Sequence, residues 1–162
     1  MSEIVARIIE VCVFRFEGSD VEYLVLRRAP DELAFPGLWQ IVTGSLEKGE
    51  KAIEAALREL REETGVRPEH FWVVPFTNSF YDHHRDCVNL IPFFAAQFPP
   101  GENPRLSAEH SESQWLSHRD ARARLVWPGQ RAGLDVVHSF IVEGKPAANL
   151  TEVLLRTNRA ER

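Results

Sequence analysis

Apolar residues fall in alternating or unbroken runs separated by short polar and Gly/Pro breaks. Ile4 to Phe16 is rich in Ile and Val, and Val21 to Leu26 is a second apolar run after the turn-like Gly18-Ser19-Asp20, a pattern that predicts a β-hairpin. Ala29-Pro30-Asp31-Glu32 breaks it, and Phe35-Pro36-Gly37 precedes a short predicted strand over Leu38 to Thr43 that ends on Gly44. Residues 50 to 64 contain no Pro or Gly and carry Ile53, Leu57, Leu60 and Thr64 at helical spacing, so a helix with one narrow apolar stripe is expected, stopped by Gly65. Phe71 to Tyr81 and Cys87 to Phe98 read as strands, with Pro75 and Pro92 marking edges, bulges or interruptions. Glu112 to Leu116 predicts a short strand, Ser117 a cap for a short helix through Leu125, and Pro128 the start of a helix to about Val142. Strands before, between and after two main helices predict the α/β class: a mixed sheet sandwiched between helices, in one domain spanning residues 1–162, with 145–162 a C-terminal tail whose charged end, Arg156 to Arg162, is loosely held.

Composition narrows the class. The 162 residues are 44% hydrophobic and 27% charged, which excludes wholesale disorder, and no apolar run approaches the roughly 18 residues of a spanning helix. A net charge of -5 gives no general attraction to duplex nucleic acid, so an anionic substrate needs a local cation. Cys12 and Cys87 form no C-x-x-C arrangement, which argues against a disulfide framework or a cysteine zinc site. With no secretory pattern after Met1, a cytoplasmic protein without membrane contact is expected.

The informative stretch runs from Gly44 to Val66: Gly44, Glu50, Arg58-Glu59-Leu60, Glu62-Glu63 and Gly65-Val66, in the order G-x5-E-x7-R-E-U-x-E-E-x-G-U with U aliphatic. Seven fixed identities at roughly one in 15 each coincide by chance at about one start in 10⁸. At 100° per residue, Glu59, Glu62 and Glu63 share an arc of about 100° opposite Ile53, Leu57 and Leu60. Like charges at this spacing repel. Arg58 can pair with Glu62 four residues on, but one guanidinium does not neutralise three acids, whereas a hard divalent ion would. Ala52, Ala55 and Ala56 are expected to leave the acidic side open.

This pattern matches the Nudix box, and the chain resembles the Nudix hydrolases, which cleave nucleoside diphosphates linked to another moiety. The resemblance implies a Nudix α/β/α sandwich and a Mg²⁺ or Mn²⁺ cofactor. Glu59, Glu62, Glu63 and a main-chain carbonyl near Gly44 would be its ligands, Arg58 would orient a carboxylate, and Glu50 would support the loop. The implied chemistry is attack of a metal-activated water on phosphorus, with Glu62 or a carboxylate outside the box as general base. Trp39-Gln40-x-Val42-Thr43-Gly44-Ser45 and Glu109-His110 before Trp115-Leu116 resemble the bacterial dihydroneopterin triphosphate pyrophosphatases, where the position of Glu109 joins the metal site. The implied partner is a nucleotide or pterin polyphosphate. Rival readings are a dinucleoside polyphosphate or nucleoside diphosphate sugar hydrolase and a non-catalytic nucleotide sensor; a homodimer is left open. Arg27 and Arg28 are candidate phosphate contacts, and Trp39, Phe80 and Tyr81 candidate stacking partners for a ring. His83 and His84 read as a solvated turn.

Overall fold

Ala6 and Arg7 split the first apolar run into strands β1 (Glu3–Val5) and β2 (Ile8–Glu17), and β2 turns through Gly18 at φ 61° into β3 (Asp20–Arg28). The predicted strand before the acidic helix is likewise two pieces, β4 (Trp39–Gln40) and β5 (Val42–Ser45). Helix α1 (Ala52–Thr64) follows and ends on Gly65 in the left-handed conformation at φ 67°, as its glycine predicts. Then come β6 (His70–Asp82), β7 (Cys87–Phe98), β8 (His110–Leu116), α2 (His118–Arg124) and α3 (Pro128–Val136). This computed structural model describes residues 1–144 and 146–156.

The strands form one mixed sheet with the order β1-β7-β2-β3-β4, to which β6 adds beside β7, β8 beside β3 and β5 beside β2. The hairpin of β2 and β3 is paired only near its turn, from Phe14↔Tyr23 to Glu17↔Asp20. Further from the turn the two strands part: β2 takes β5 through Ile8↔Ser45 to Val11↔Val42, and β3 takes β4 through Leu26↔Gln40. The segment leading into the acidic helix therefore enters a split in the sheet. Both prolines fall at interruptions. The β6–β7 register shifts between Val73 and Thr77, around Pro75, and Pro92 lies where β7 passes from pairing β1, which ends at Asn89, to pairing β2, which starts at Phe93.

Each face of the sheet has its own core. Ile9, Val11, Leu24, Leu26, Val42 and Phe94 pack with Ala55, Ala56 and Leu60 of α1, and Cys12, Phe14, Tyr23, Ile41 and Phe93 pack with Ala121, Leu125 and Leu134 of α2 and α3. Helices on both faces of a mixed sheet are the expected α/β/α sandwich. Ser117 caps α2 by accepting a hydrogen bond from the Asp120 N–H, and Pro128 opens α3, both as expected.

The last helix runs from Pro128 to Val142 as expected, with its end, Val137–Val142, widened into a π-helix. Before its charged end the C-terminal segment is docked: Ala148 is buried, Thr151 C=O accepts from the Val73 N–H, and the Val153 N–H donates to Phe71 C=O. These bonds dock the segment beside β6, where Trp72 bridges Glu152. The expectation for residues 157–162 lies outside the described residues.

Candidate active site

Helix α1 approaches the sheet closely because small residues meet there. Ala55 and Ala56 are fully buried against the core, so they bring the helix onto the sheet and do not open its acidic side as expected. The buried face is thereby turned away from Ile53 and Leu57, which are half-buried, and toward Glu63, which is 2% exposed. At Gly44 the contact is closest: a Cβ there would collide with the carboxyl of Glu59. Gly44 lies within β5 opposite Ile9, so absence of a side chain, not a turn conformation, is what the site needs from it.

Arg58 organises the entrance to the helix. Its guanidinium donates to Glu50 Oε1 at 2.8 Å and Oε2 at 3.0 Å, to Glu59 Oε1 at 2.9 Å, to Glu62 Oε2 at 3.2 Å and to the Ser45 carbonyl at 2.9 Å. The fork of donors suits this geometry, which an ammonium could not reproduce. Hydrogen bonds from Arg58 and the Glu47 backbone pull the Glu50 carboxyl down to about 2. Glu50 also accepts from the Glu47 N–H at 2.8 Å, which fixes the loop between β5 and α1.

Glu63 has the opposite environment. Neither carboxylate oxygen has a hydrogen-bond partner, and burial, reinforced by Glu59 and Glu109, raises its acid to about 9. His110 Nδ1 stands 3.9 Å from Glu63 Oε2 and is also unpartnered, while its Nε2 lies 3.3 Å from Gln40 Nε2. Burial and nearby Arg28 lower His110 to about 4, so at neutral pH the pair faces as carboxylic acid and neutral imidazole despite its ion-pair spacing. Glu59 is also raised, first by burial, with Glu62 and Glu109 adding to it against Arg58. Glu109, exposed at the start of β8, thus belongs to the same field. Among the described residues no three acidic, imidazole or thiol side chains form a ready-made chelate, because Arg58 draws Glu59 and Glu62 to itself while Glu63 sits beside His110.

The other predicted contacts divide. Arg28 bears electrostatically on Glu63 and His110, but its guanidinium is engaged by Ala34 C=O at 2.7 Å and Glu32 at 3.0 Å. Arg27 donates to Glu112 at 3.3 Å, and with Arg124 it approaches the ring of Trp39, which packs on the α3 side of the sheet. Tyr81 lies at the tip of the β6–β7 hairpin, donating to Asp86 at 2.9 Å. Phe80 is exposed beside it, and the rings of His83 and His84 lie 3.8 Å apart, tilted by 38°, in an exposed turn.

Sequence reasoning missed a second buried acid. Glu10 is 3% exposed under the first turn of α3 and accepts from Asn78 Nδ2 at 2.9 Å on Oε1, while its buried Oε2 has no hydrogen-bond partner. Its available signal was an acid amid the apolar run Ile8-Ile9-Glu10-Val11. His110, in a polar stretch, carried none.

The NUDIX domain family model matches residues 6–136. The chain belongs to the Nudix family. It is 35% identical over 132 residues to an octanoyltransferase of Myxococcus xanthus, covering 77% of this chain and 34% of that protein; the chain thus spans about a third of that relative. It is 28% identical to the nucleoside triphosphatase NudI of Escherichia coli K12, over 63% of this chain and 77% of NudI. The dihydroneopterin triphosphate pyrophosphohydrolase structure of Escherichia coli superposes with a TM-score of 0.66 at 25% identity, over 86% of this chain and 99% of that one. The matched span includes the Gly44–Val66 stretch.

Nudix hydrolases generally use a divalent metal, and the residues here fit one. Buried carboxylate oxygens without partners, next to two further carboxylates, are groups that a hard cation would satisfy.

Proposed function

We propose that this Nudix protein is a divalent-metal-dependent pyrophosphohydrolase that cleaves a nucleoside or pterin triphosphate to monophosphate and pyrophosphate. The observation that carries the reading is Glu63, whose two buried oxygens lack any partner on the face it shares with Glu59 and Glu62. Glu59, Glu62, Glu63 and the Gly44 carbonyl would hold Mg²⁺ or Mn²⁺, with Glu109 beside them. When bound, the ion supplies charge neutralisation on phosphate oxygens and a lowered water pKa. Arg58 positions Glu59 and Glu62 and ties them to the loop at Ser45. Glu62, with 53% of its side chain exposed, would accept the proton of an attacking water. The buried free thiols Cys12 and Cys87 fit a reducing, cytoplasmic setting.

The names of NudI and of the pterin enzyme support a triphosphate substrate. The test is product identity from dATP, dihydroneopterin triphosphate and diadenosine polyphosphate. Pyrophosphate released from either triphosphate supports the reading; cleavage of the dinucleotide alone would give the dinucleoside polyphosphate reading its place, and binding without turnover would indicate a sensor.

A further inference from the structure

The segment Ala6-Arg7 crosses from β1 to β2 beside the start of the box loop, and a cavity of about 210 Å³ opens there. It lies between two strand pairs, β2–β5 with Ile8 opposite Ser45 and β1–β7 with Val5 opposite Asn89. Ile8, Leu46, Ser45, the buried Asn89 and two arginines, Arg7 and Arg85, line it.

Neither arginine side chain is held tightly, in contrast to three other arginines of the chain. Arg15, Arg28 and Arg58 are each committed to carboxylates at 3.0 Å or closer. Arg85 has only its backbone N–H fixed, to Asp82 Oδ1 at 3.3 Å, and its guanidinium has no ion pair among the described residues. Arg7 has one loose pair, with Glu3 at 3.7 Å, in which both side chains are well exposed; such pairs contribute little and exchange readily. The Arg7 backbone, by contrast, is anchored, because its carbonyl accepts from the Leu46 N–H at 2.9 Å. The wall residue Ser45 is the one whose carbonyl Arg58 holds at 2.9 Å. A ligand in the cavity therefore adjoins the residue through which Arg58 couples the loop to Glu59 and Glu62. In a chain of net charge -5, with Glu59, Glu62 and Glu63 together on α1, a polyanion needs cations on its approach, and guanidiniums pair with phosphate in forked geometry.

We propose that this cavity is a phosphate subsite, in which Arg7 and Arg85 hold the pyrophosphate end of the substrate while the bond to be cleaved lies at the acidic face. The proposal rests on the triphosphate reading above.

The test titrates inorganic pyrophosphate, and separately inorganic phosphate, into metal-free wild type, Arg7→Ala, Arg85→Ala and the double variant by calorimetry. KM and kcat for dATP with Mg²⁺ are measured in parallel. Both side chains are exposed, so unchanged circular dichroism and thermal midpoint verify folding. Expected are pyrophosphate binding tighter than phosphate, a loss of at least tenfold in the double variant, and a KM that rises by more than kcat falls. Pyrophosphate affinity within twofold of wild type in the double variant, or no binding to wild type, overturns the subsite. If Arg7 and Arg85 govern binding but no triphosphate is hydrolysed, the subsite stands and the enzymatic reading fails. Hydrolysis indifferent to both arginines gives the reverse.

Discussion

The carboxyl of Glu59 occupies the space that a Cβ on Gly44 would need. Gly44→Ala must therefore displace Glu59, the β5 backbone or helix α1. Overpacking of this kind costs about 1–3 kcal/mol, and a displaced Glu59 would be lost to the proposed metal site. Denaturant titration should show that loss, and turnover at saturating Mg²⁺ should fall at least tenfold; wild-type turnover in Gly44→Ala would remove the contact from the catalytic account.

Arg58 joins Glu50, Glu59, Glu62 and the Ser45 carbonyl, with only 18% of its side chain exposed. Arg58→Lys keeps a charge but loses the fork, so it should recover little. Both Arg58→Lys and Arg58→Ala should lose about 1–3 kcal/mol of stability, in keeping with charged hydrogen bonds removed from a part-buried site. Turnover should fall further than stability explains. Full activity in Arg58→Lys would show that charge alone suffices.

Glu63 carries its proton at neutral pH because burial raises its acid to about 9. A metal ligand must release that proton, so Mg²⁺ affinity should climb as pH rises from 7 toward 9, by up to about tenfold per unit. Calorimetry on wild type and Glu63→Gln reads this directly. The variant should bind Mg²⁺ weakly and with a flatter pH profile, and an identical slope in both proteins would exclude Glu63 as the group that releases the proton.

Glu10 gives a pH effect on folding with a definite sign. Burial raises its acid from 4.5 to about 7, against the hydrogen bond from Asn78. The folded state thus keeps a proton that the unfolded chain loses, and this contribution is full below pH 4.5 and lost as pH rises through 7. The shift corresponds to about 3 kcal/mol. Glu10→Gln should remove that slope, gaining stability relative to wild type between pH 5 and pH 8 in denaturant titrations. Parallel pH profiles would mean that Glu10 is ionised in the folded protein.

The elements that sequence made legible are those with local causes. The Leu60 and Thr64 side of α1, the left-handed Gly65, the Ser117 cap and Pro128 at a helix start each follow from residues a few positions apart. The box was legible because its spacing is fixed by one helix and its loop. The parting of β2 and β3 around β4 and β5 was not, since pairing between distant segments leaves no local period. The same reason hides the docking of Val153 on Phe71 and the burial of Ala55 and Ala56, whose small side chains read as helix formers until the sheet is seen beneath them. Glu63 sits on the acidic arc by sequence, yet its burial depends on how closely those alanines let α1 approach.

The most direct measurement is pyrophosphate release from dATP and dihydroneopterin triphosphate by wild type and Glu62→Gln, with Mg²⁺ and with chelator. Glu62 is half exposed, so the substitution should leave the fold intact. The account predicts pyrophosphate only from wild type and only with Mg²⁺; release that persists in chelator, or in folded Glu62→Gln at the wild-type rate, would contradict it.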